Sequence, residues 1–241
     1  MLSSTWRLFG ARLGVLSLVL GLVASSAGAG NAKAWNRQLQ QTVAGLRAGD
    51  WKAAKQGAQR GLDDLARSLA PGKGAGSAVG MFLMCRALAE AGLGEQREAI
   101  WDWQIAQQLD PRLESWKLAE FGAAGAFLDQ ERLSNRPRPS LPTAGTAADQ
   151  EIAPPQRLAG EPPRVPEAAF TQVRNAQLEF SLLLSAEGLP SYPRIVERGP
   201  LETLTLAVSD MLRSSRWEPA RRGGQPVAVD YRFKFKFAMT R

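Results

Sequence analysis

Between Val227 and Phe237 the chain alternates without a slip. Val227, Val229, Tyr231, Phe233, Phe235 and Phe237 fall on one side, and Ala228, Asp230, Arg232, Lys234 and Lys236 on the other. A period of two is that of a β-strand with one buried and one wet face. Such a strand cannot bury its aromatic face alone, so a sheet has to be assembled from what precedes it. Ala176–Leu184 supplies a second alternating run, with Leu178, Phe180 and Leu182 on one face. Ser185–Gly188 reads as a turn and Tyr192–Glu197 as a shorter strand. Gly199-Pro200 then opens a helix whose apolar stripe is Leu201, Leu204, Val208, Met211 and Leu212, with Arg213 and Arg216 at the end that favours cations.

The first half obeys a different period. Gln38–Leu69 is rich in good helix formers and is broken at Gly49-Asp50, where Gly49 can end one helix and Asp50 can cap the next. Pro71–Ser77 reads as a flexible loop. Val79–Gly92 and Glu95–Leu109 follow as two more helices around a turn at Leu93-Gly94, with apolar residues at helical spacing. Asp110-Pro111 reads as a cap and first residue of a further helix running through Trp116, Phe121 and Leu128. Trp101 and Trp103, two apart, cannot face the same core, so one of them is expected at the surface. The lone cysteine, Cys85, sits in the apolar run Met81–Cys85 and reads as core filler.

Between these halves, residues 133–165 contain seven prolines, few large apolar side chains and no periodicity. The stretch is expected to be an extended linker, roughly 100 Å long if fully polyproline-like. It would serve as a spacer or as an ordinary tether.

The N-terminus carries Arg7 and Arg12 and no acid, then the apolar run Leu13–Ala24, then small residues ending in Ala27-Gly28-Ala29. Basic, apolar and small is the order of a secretory signal, with cleavage after Ala29. The 20 uncharged residues from Leu13 to Ala32 are also long enough for a membrane anchor. The strongly apolar part is only about a dozen residues, which favours cleavage. Either reading puts the body outside the cytoplasm, with membrane contact limited to residues 1–29.

The absence of histidine removes the commonest general base and zinc ligand, and one cysteine allows neither an intrachain disulfide nor a thiolate cluster. The carboxylates Asp63, Asp64, Glu151, Glu161 and Glu167 fall on solvated helix faces or in the linker, and no phosphate-binding loop is present. No catalytic residue, cofactor or metal site is therefore expected, and the chain reads as a non-enzyme. With 30 Lys+Arg against 23 Asp+Glu, anionic partners are favoured. Residues 209–241 hold eight cations and three acids. The export signal nonetheless argues against nucleic acid.

Two resemblances sharpen the picture. Ala87, Gly94, Ala99, Trp103, Ala106 and Pro111 stand at the spacing of a tetratricopeptide repeat, in which small residues let two helices approach and the aromatic fills the gap. Gly49, Asp50 and Ala54 look like a degenerate copy 45 residues upstream, with Ala58 where an aromatic is usual. That resemblance implies a protein-binding scaffold; a plain helical bundle stays open. In the last third, Gly188, the helix Leu201–Leu212, Trp217, Pro219, Ala220, Gly224, Pro226, Val227 and the final alternating strand resemble the TonB C-terminal domain. Ser215 departs from the pattern, standing where the family often has an aromatic.

The resemblances imply an α+β chain: a helical repeat region at 34–132, the linker at 133–165, and at 166–241 a small domain with a three-stranded antiparallel sheet packed on a helix. They further imply an envelope protein that recognises other envelope proteins, including a segment of an outer-membrane receptor added as a strand to the edge formed by Val229, Asp230, Tyr231, Arg232, Phe233, Lys234, Phe235 and Lys236. The basic outer face of that strand would also discourage self-pairing. A periplasmic adaptor and a membrane-anchored energy transducer both fit, but the histidine often found in the transducers' anchor is missing here.

Overall fold

A computed structural model of the chain describes residues 29–68, 75–132, 135, 138–144, 151–165 and 175–238. Of the expected signal or anchor, residues 1–29, all but Ala29 lie outside the described residues. Helices α1 (Ala29–Ala48), α2 (Trp51–Ser68), α3 (Ala75–Gly92) and α4 (Gln96–Leu109) form two consecutive hairpins. Among the described residues no helix is long and apolar enough to cross a membrane.

Both hairpins turn by the same device. At Gly49 (φ +73°) the N–H of Gly49 reaches back to Leu46 O and that of Asp50 to Gly45 O. At Gly94 (φ +80°) the N–H of Gly94 reaches Ala91 O and that of Glu95 reaches Glu90 O. This paired closure satisfies the last helical carbonyls and needs a left-handed residue, hence glycine. Asp50 then caps α2 by accepting the N–H of Ala53.

Helix α2 buries one stripe, Ala54, Ala58, Leu62 and Leu65. Helix α3 is different, because nearly every side chain from Ala78 to Glu90 is buried, Cys85 included. A helix apolar on all sides has to be central, and α3 is in contact with α1, α2, α4 and α5 (Gly122–Gln130). Gly61 provides the clearance for Phe82, whose ring would stand 2.3 Å from a β-carbon placed there.

The expected continuous helix after Asp110-Pro111 is broken. Asp110 accepts from Arg112 N–H, and Pro111–Ser115 is a 3-10 turn; a second, Ala119–Phe121, precedes α5. The break is held by Asp129, whose carboxylate accepts the N–H groups of Leu118 and Ala119. Gly125 lets the Leu118 carbonyl pack against α5, where a β-carbon would fall 1.6 Å from that oxygen. The Arg132 guanidinium caps the carbonyls of Glu114 and Trp116 and lies 5.7 Å from the Trp103 ring centroid.

The C-terminal part is α+β. Strands β3 (Asn175–Leu184), β4 (Pro190–Glu197) and β8 (Val229–Ala238) form an antiparallel sheet in the order β4-β3-β8, with helix α6 (Glu202–Ser214) alongside. The β3–β8 ladder is unbroken over ten residue pairs and sets Leu178, Phe180, Leu182 and Leu184 opposite Phe235, Phe233, Tyr231 and Val229. That face, the α6 stripe and Trp217 belong to one hydrophobic cluster, which continues into the helical region. Val227 falls in the preceding short strand, so the long strand begins at Val229.

The proline-rich stretch departs from the picture of a free spacer. Within it, β1 (Ile152–Ala153) pairs with β6 (Ala220–Arg222), which also pairs with β7 (Gln225–Val227). Strand β2 (Gln156–Ala159) pairs with β5 (Arg216–Glu218). The pairing is possible because Pro154 and Pro155 stand between the two strands, where no ladder donor is needed, and because Ile152 is buried.

The two halves are docked. Trp101 Nε1 donates to Ser209 Oγ of α6 at 3.0 Å, and Arg86 of α3 donates to Asp210 at 2.7 Å. Arg213 reaches Glu90 and Asp102 at 3.2 and 3.0 Å. The expectation of a surface tryptophan fails for this reason. Trp103 is buried among the helices, and Trp101, on the other side of α4, is covered by α6 and is 2% exposed.

Candidate functional site: the outer edge of strand β8

A three-stranded sheet has two edges, and the fold treats them differently. The edge of β4 is closed by one side chain. Gln108 of α4 donates from Nε2 to Pro193 O and accepts at Oε1 from Ile195 N–H, both at 2.8 Å, as the peptide group of a neighbouring strand would. Arg198 adds a bond to the Gln108 carbonyl. Nothing in the sequence pattern of α4 marked Gln108 for this task.

On β8 the inward backbone groups are taken by β3. The outward set can be identified from Asp230, whose N–H donates to Pro142 O at 2.9 Å and whose C=O accepts from Ala144 N–H at 3.2 Å. Backbone direction alternates along a strand, so the N–H and C=O of Arg232, Lys234 and Lys236 point the same way. Among the described residues no backbone group pairs with them. The result is a row of donors and acceptors three residues long that no described residue pairs with, in the geometry another strand would use.

The side chains flanking this row are sorted by face. Tyr231, Phe233, Phe235 and Phe237 are half-buried, because β8 is the last strand and one side of each ring has no neighbouring strand. Trp217 meets Tyr231 and Phe233 edge-on, with centroids at 5.5 and 5.9 Å. Burial raises the Tyr231 phenol above its usual range. Gly188 permits this packing: at φ +75°, a β-carbon there would lie 1.9 Å from the Trp217 carbonyl oxygen. On the wet face Arg232 and Lys234 both approach Glu179 of β3, at 3.2 and 3.7 Å. Asp230 accepts from Ser181 Oγ at 2.6 Å and from Arg138 Nη2 at 2.8 Å.

All eight residues expected at the edge therefore lie on one strand. Val229 is fully buried, so it contributes to the core and offers no side chain to a partner. Of the residues expected to pack the helical repeat, Ala87, Ala99, Trp103 and Ala106 are fully buried between helices, Gly94 makes the turn and Pro111 begins the following 3-10 segment. Among the described residues no cluster of acids and cysteine could hold a metal ion.

Residues 161–239 match the family of the Gram-negative bacterial TonB protein C-terminal. The last third of this protein is a TonB C-terminal domain. Neither a curated protein nor a solved structure matches the chain. The TonB C-terminal match takes in β3, β4, α6 and all of β8 except its surroundings at 138–144, and it begins inside the proline-rich stretch. The five helices α1–α5 lie outside it. A domain of this family makes the protein an envelope-associated, TonB-like protein connected with outer-membrane transport, with its body in the periplasm.

Proposed function

We propose that the protein is a periplasmic adaptor that binds other envelope proteins and has no catalytic role of its own. Its signal is cleaved after Ala29, and its TonB C-terminal domain takes up an extended segment of an outer-membrane receptor along the β8 edge. The helices resemble tetratricopeptide repeats and serve as the second binding module. The observation that carries the adaptor reading is the docking of the two halves through Arg86, Asp102, Asp210 and Arg213. An energy transducer anchored in the inner membrane needs a long free spacer to reach its receptor. Here the spacer residues 152–159 are paired into the C-terminal domain.

The edge is tested by a Lys234→Pro variant. The Lys234 N–H points outward, so proline there removes an edge donor while leaving the β3 ladder its bonds. Capture of a receptor segment is expected to weaken at least tenfold, with the thermal midpoint little changed. Equal capture by variant and wild type would remove β8 from the binding reading. The adaptor is separated from the transducer by the intact mass of the native protein. A chain starting at Gly30 in the soluble fraction supports the adaptor; a full-length chain retained in the inner membrane supports the transducer.

A further inference from the structure

The β8 edge already holds a short piece of this chain. Residues Pro142, Thr143 and Ala144 lie along it in parallel, Thr143 facing Asp230, with the two backbone bonds to Asp230 described above. Five residues before Thr143, Arg138 closes the arrangement by pairing with the Asp230 carboxylate, its side chain only 9% exposed. Ala144 is likewise 9% exposed. This piece belongs to the proline-rich stretch, and it covers the first outward residue of β8, while among the described residues no backbone group pairs with the outward groups of Arg232, Lys234 and Lys236.

We propose that residues 138–144 are a built-in stand-in for the partner strand, which a partner of matching chemistry displaces by continuing further along β8. The proposal rests on the reading of β8 as a partner-binding edge. The stand-in also defines that chemistry. A partner strand running in the same direction needs a cation five residues before the position facing Asp230, to replace Arg138. Positions two and four residues beyond it stand beside Arg232 and Lys234 on the wet face, where like charge is unfavourable and an acid is favoured. A strand that continues gains the outward bonds of Arg232 and Lys234, which the stand-in does not make. The tether supplies the stand-in at millimolar effective concentration, so a partner's apparent affinity is reduced by the fraction of edges occupied.

The test uses the full chain and two synthetic peptides, RPSLPTAETET and its basic counterpart RPSLPTAKTKT. Arg138→Gln with Ala144→Pro removes the ion pair and the donor to the Asp230 carbonyl. Binding is followed by the amide shifts of Asp230–Lys236. The acidic peptide is expected to bind the double variant at least tenfold more tightly than the wild type, and at least tenfold more tightly than the basic peptide does. Equal binding to variant and wild type, no binding to a variant whose β3–β8 amides stay protected from exchange, or equal binding of the two peptides overturns the proposal. Should the double variant lose that protection, Arg138→Gln alone, which touches no backbone bond, carries the same comparison. Success with the acidic peptide alongside failure of every receptor segment would sink the receptor reading and leave the stand-in standing.

Discussion

An Arg86→Met variant is expected to lose about 3–5 kcal/mol of stability, a fall of roughly 10 °C in thermal midpoint for a chain of this size. Arg86 is 2% exposed, and each of its three guanidinium nitrogens donates a hydrogen bond. Nε and Nη2 hold the two Asp102 oxygens at 2.5 and 3.0 Å, Nη1 donates to Gln59 at 2.7 Å, and Nη2 also reaches Asp210. Burial pushes the Asp102 carboxyl up, but the Arg86 and Arg213 guanidiniums outweigh it and hold it below the usual carboxylate range. Removing Arg86 leaves Asp102 buried with Arg213 as its remaining cation, and an uncompensated buried charge is the costly state. Arg86→Met/Asp102→Leu is expected to recover at least half of the loss, since an apolar pair of similar volume removes both charges together. Urea unfolding of the three proteins checks this. A single variant within 1 kcal/mol of wild type would mean that the ion cluster does not hold the halves together.

The cluster was only partly legible in the sequence. Arg86 and Glu90 are one turn apart in an otherwise apolar helix, and charges placed where every neighbour is buried require partners. What no local pattern could give is the identity of those partners, because Asp210 and Arg213 come from more than a hundred residues away. Trp101 failed for the same reason: helical spacing shows that Trp101 and Trp103 diverge, while the cover over the second face comes from α6. The β8 strand was readable from Val229 onward because its period is local, while the alternation of side chains does not mark the break at Ala228; Gly49 and Gly94 were readable because a left-handed turn restricts the residue. The strands at 152–159 were hidden by their length and flanking prolines. Their pairing depends on Ile152 finding a buried place beside β6, which is a tertiary fact. The break at 116–121 was hidden too, since the Asp129 carboxylate that holds it lies ten residues downstream.

Stability of the wild type is expected to fall as pH rises from about 5 to 8, and a Glu90→Gln variant is expected to abolish most of that fall. Glu90 is fully buried. Its Oε1 meets Lys55 and Arg213 at 3.3 and 3.2 Å, while among the described residues its buried Oε2 accepts no hydrogen bond. Burial first, and then repulsion from Asp102, push its carboxyl up to about 7, against the pull of Arg213, Arg86 and Lys55. A carboxyl whose folded value lies above its ordinary one is protonated more readily in the folded chain than in the unfolded one. Its contribution is fully present below the ordinary value, near 4.5, and is lost as pH climbs through about 7. The displacement sets an upper limit of about 3 kcal/mol on that loss. Asp102 acts with the opposite sign and in another window: its folded value is depressed, so its contribution disappears only as pH falls below the ordinary carboxylate range. The two limbs can therefore be separated by titrating unfolding midpoints in urea at pH 3, 5, 6.5 and 8. Glu90→Gln should flatten the upper limb, make the protein more stable than wild type at pH 8, and leave the acid limb in place. An unchanged slope between pH 5 and 8 would show that Glu90 is ionised throughout. A flattened slope would mean that the cost of ionising Glu90, set by its burial and by Asp102, outweighs the attraction of Arg213 across the boundary between the helices and the TonB C-terminal domain.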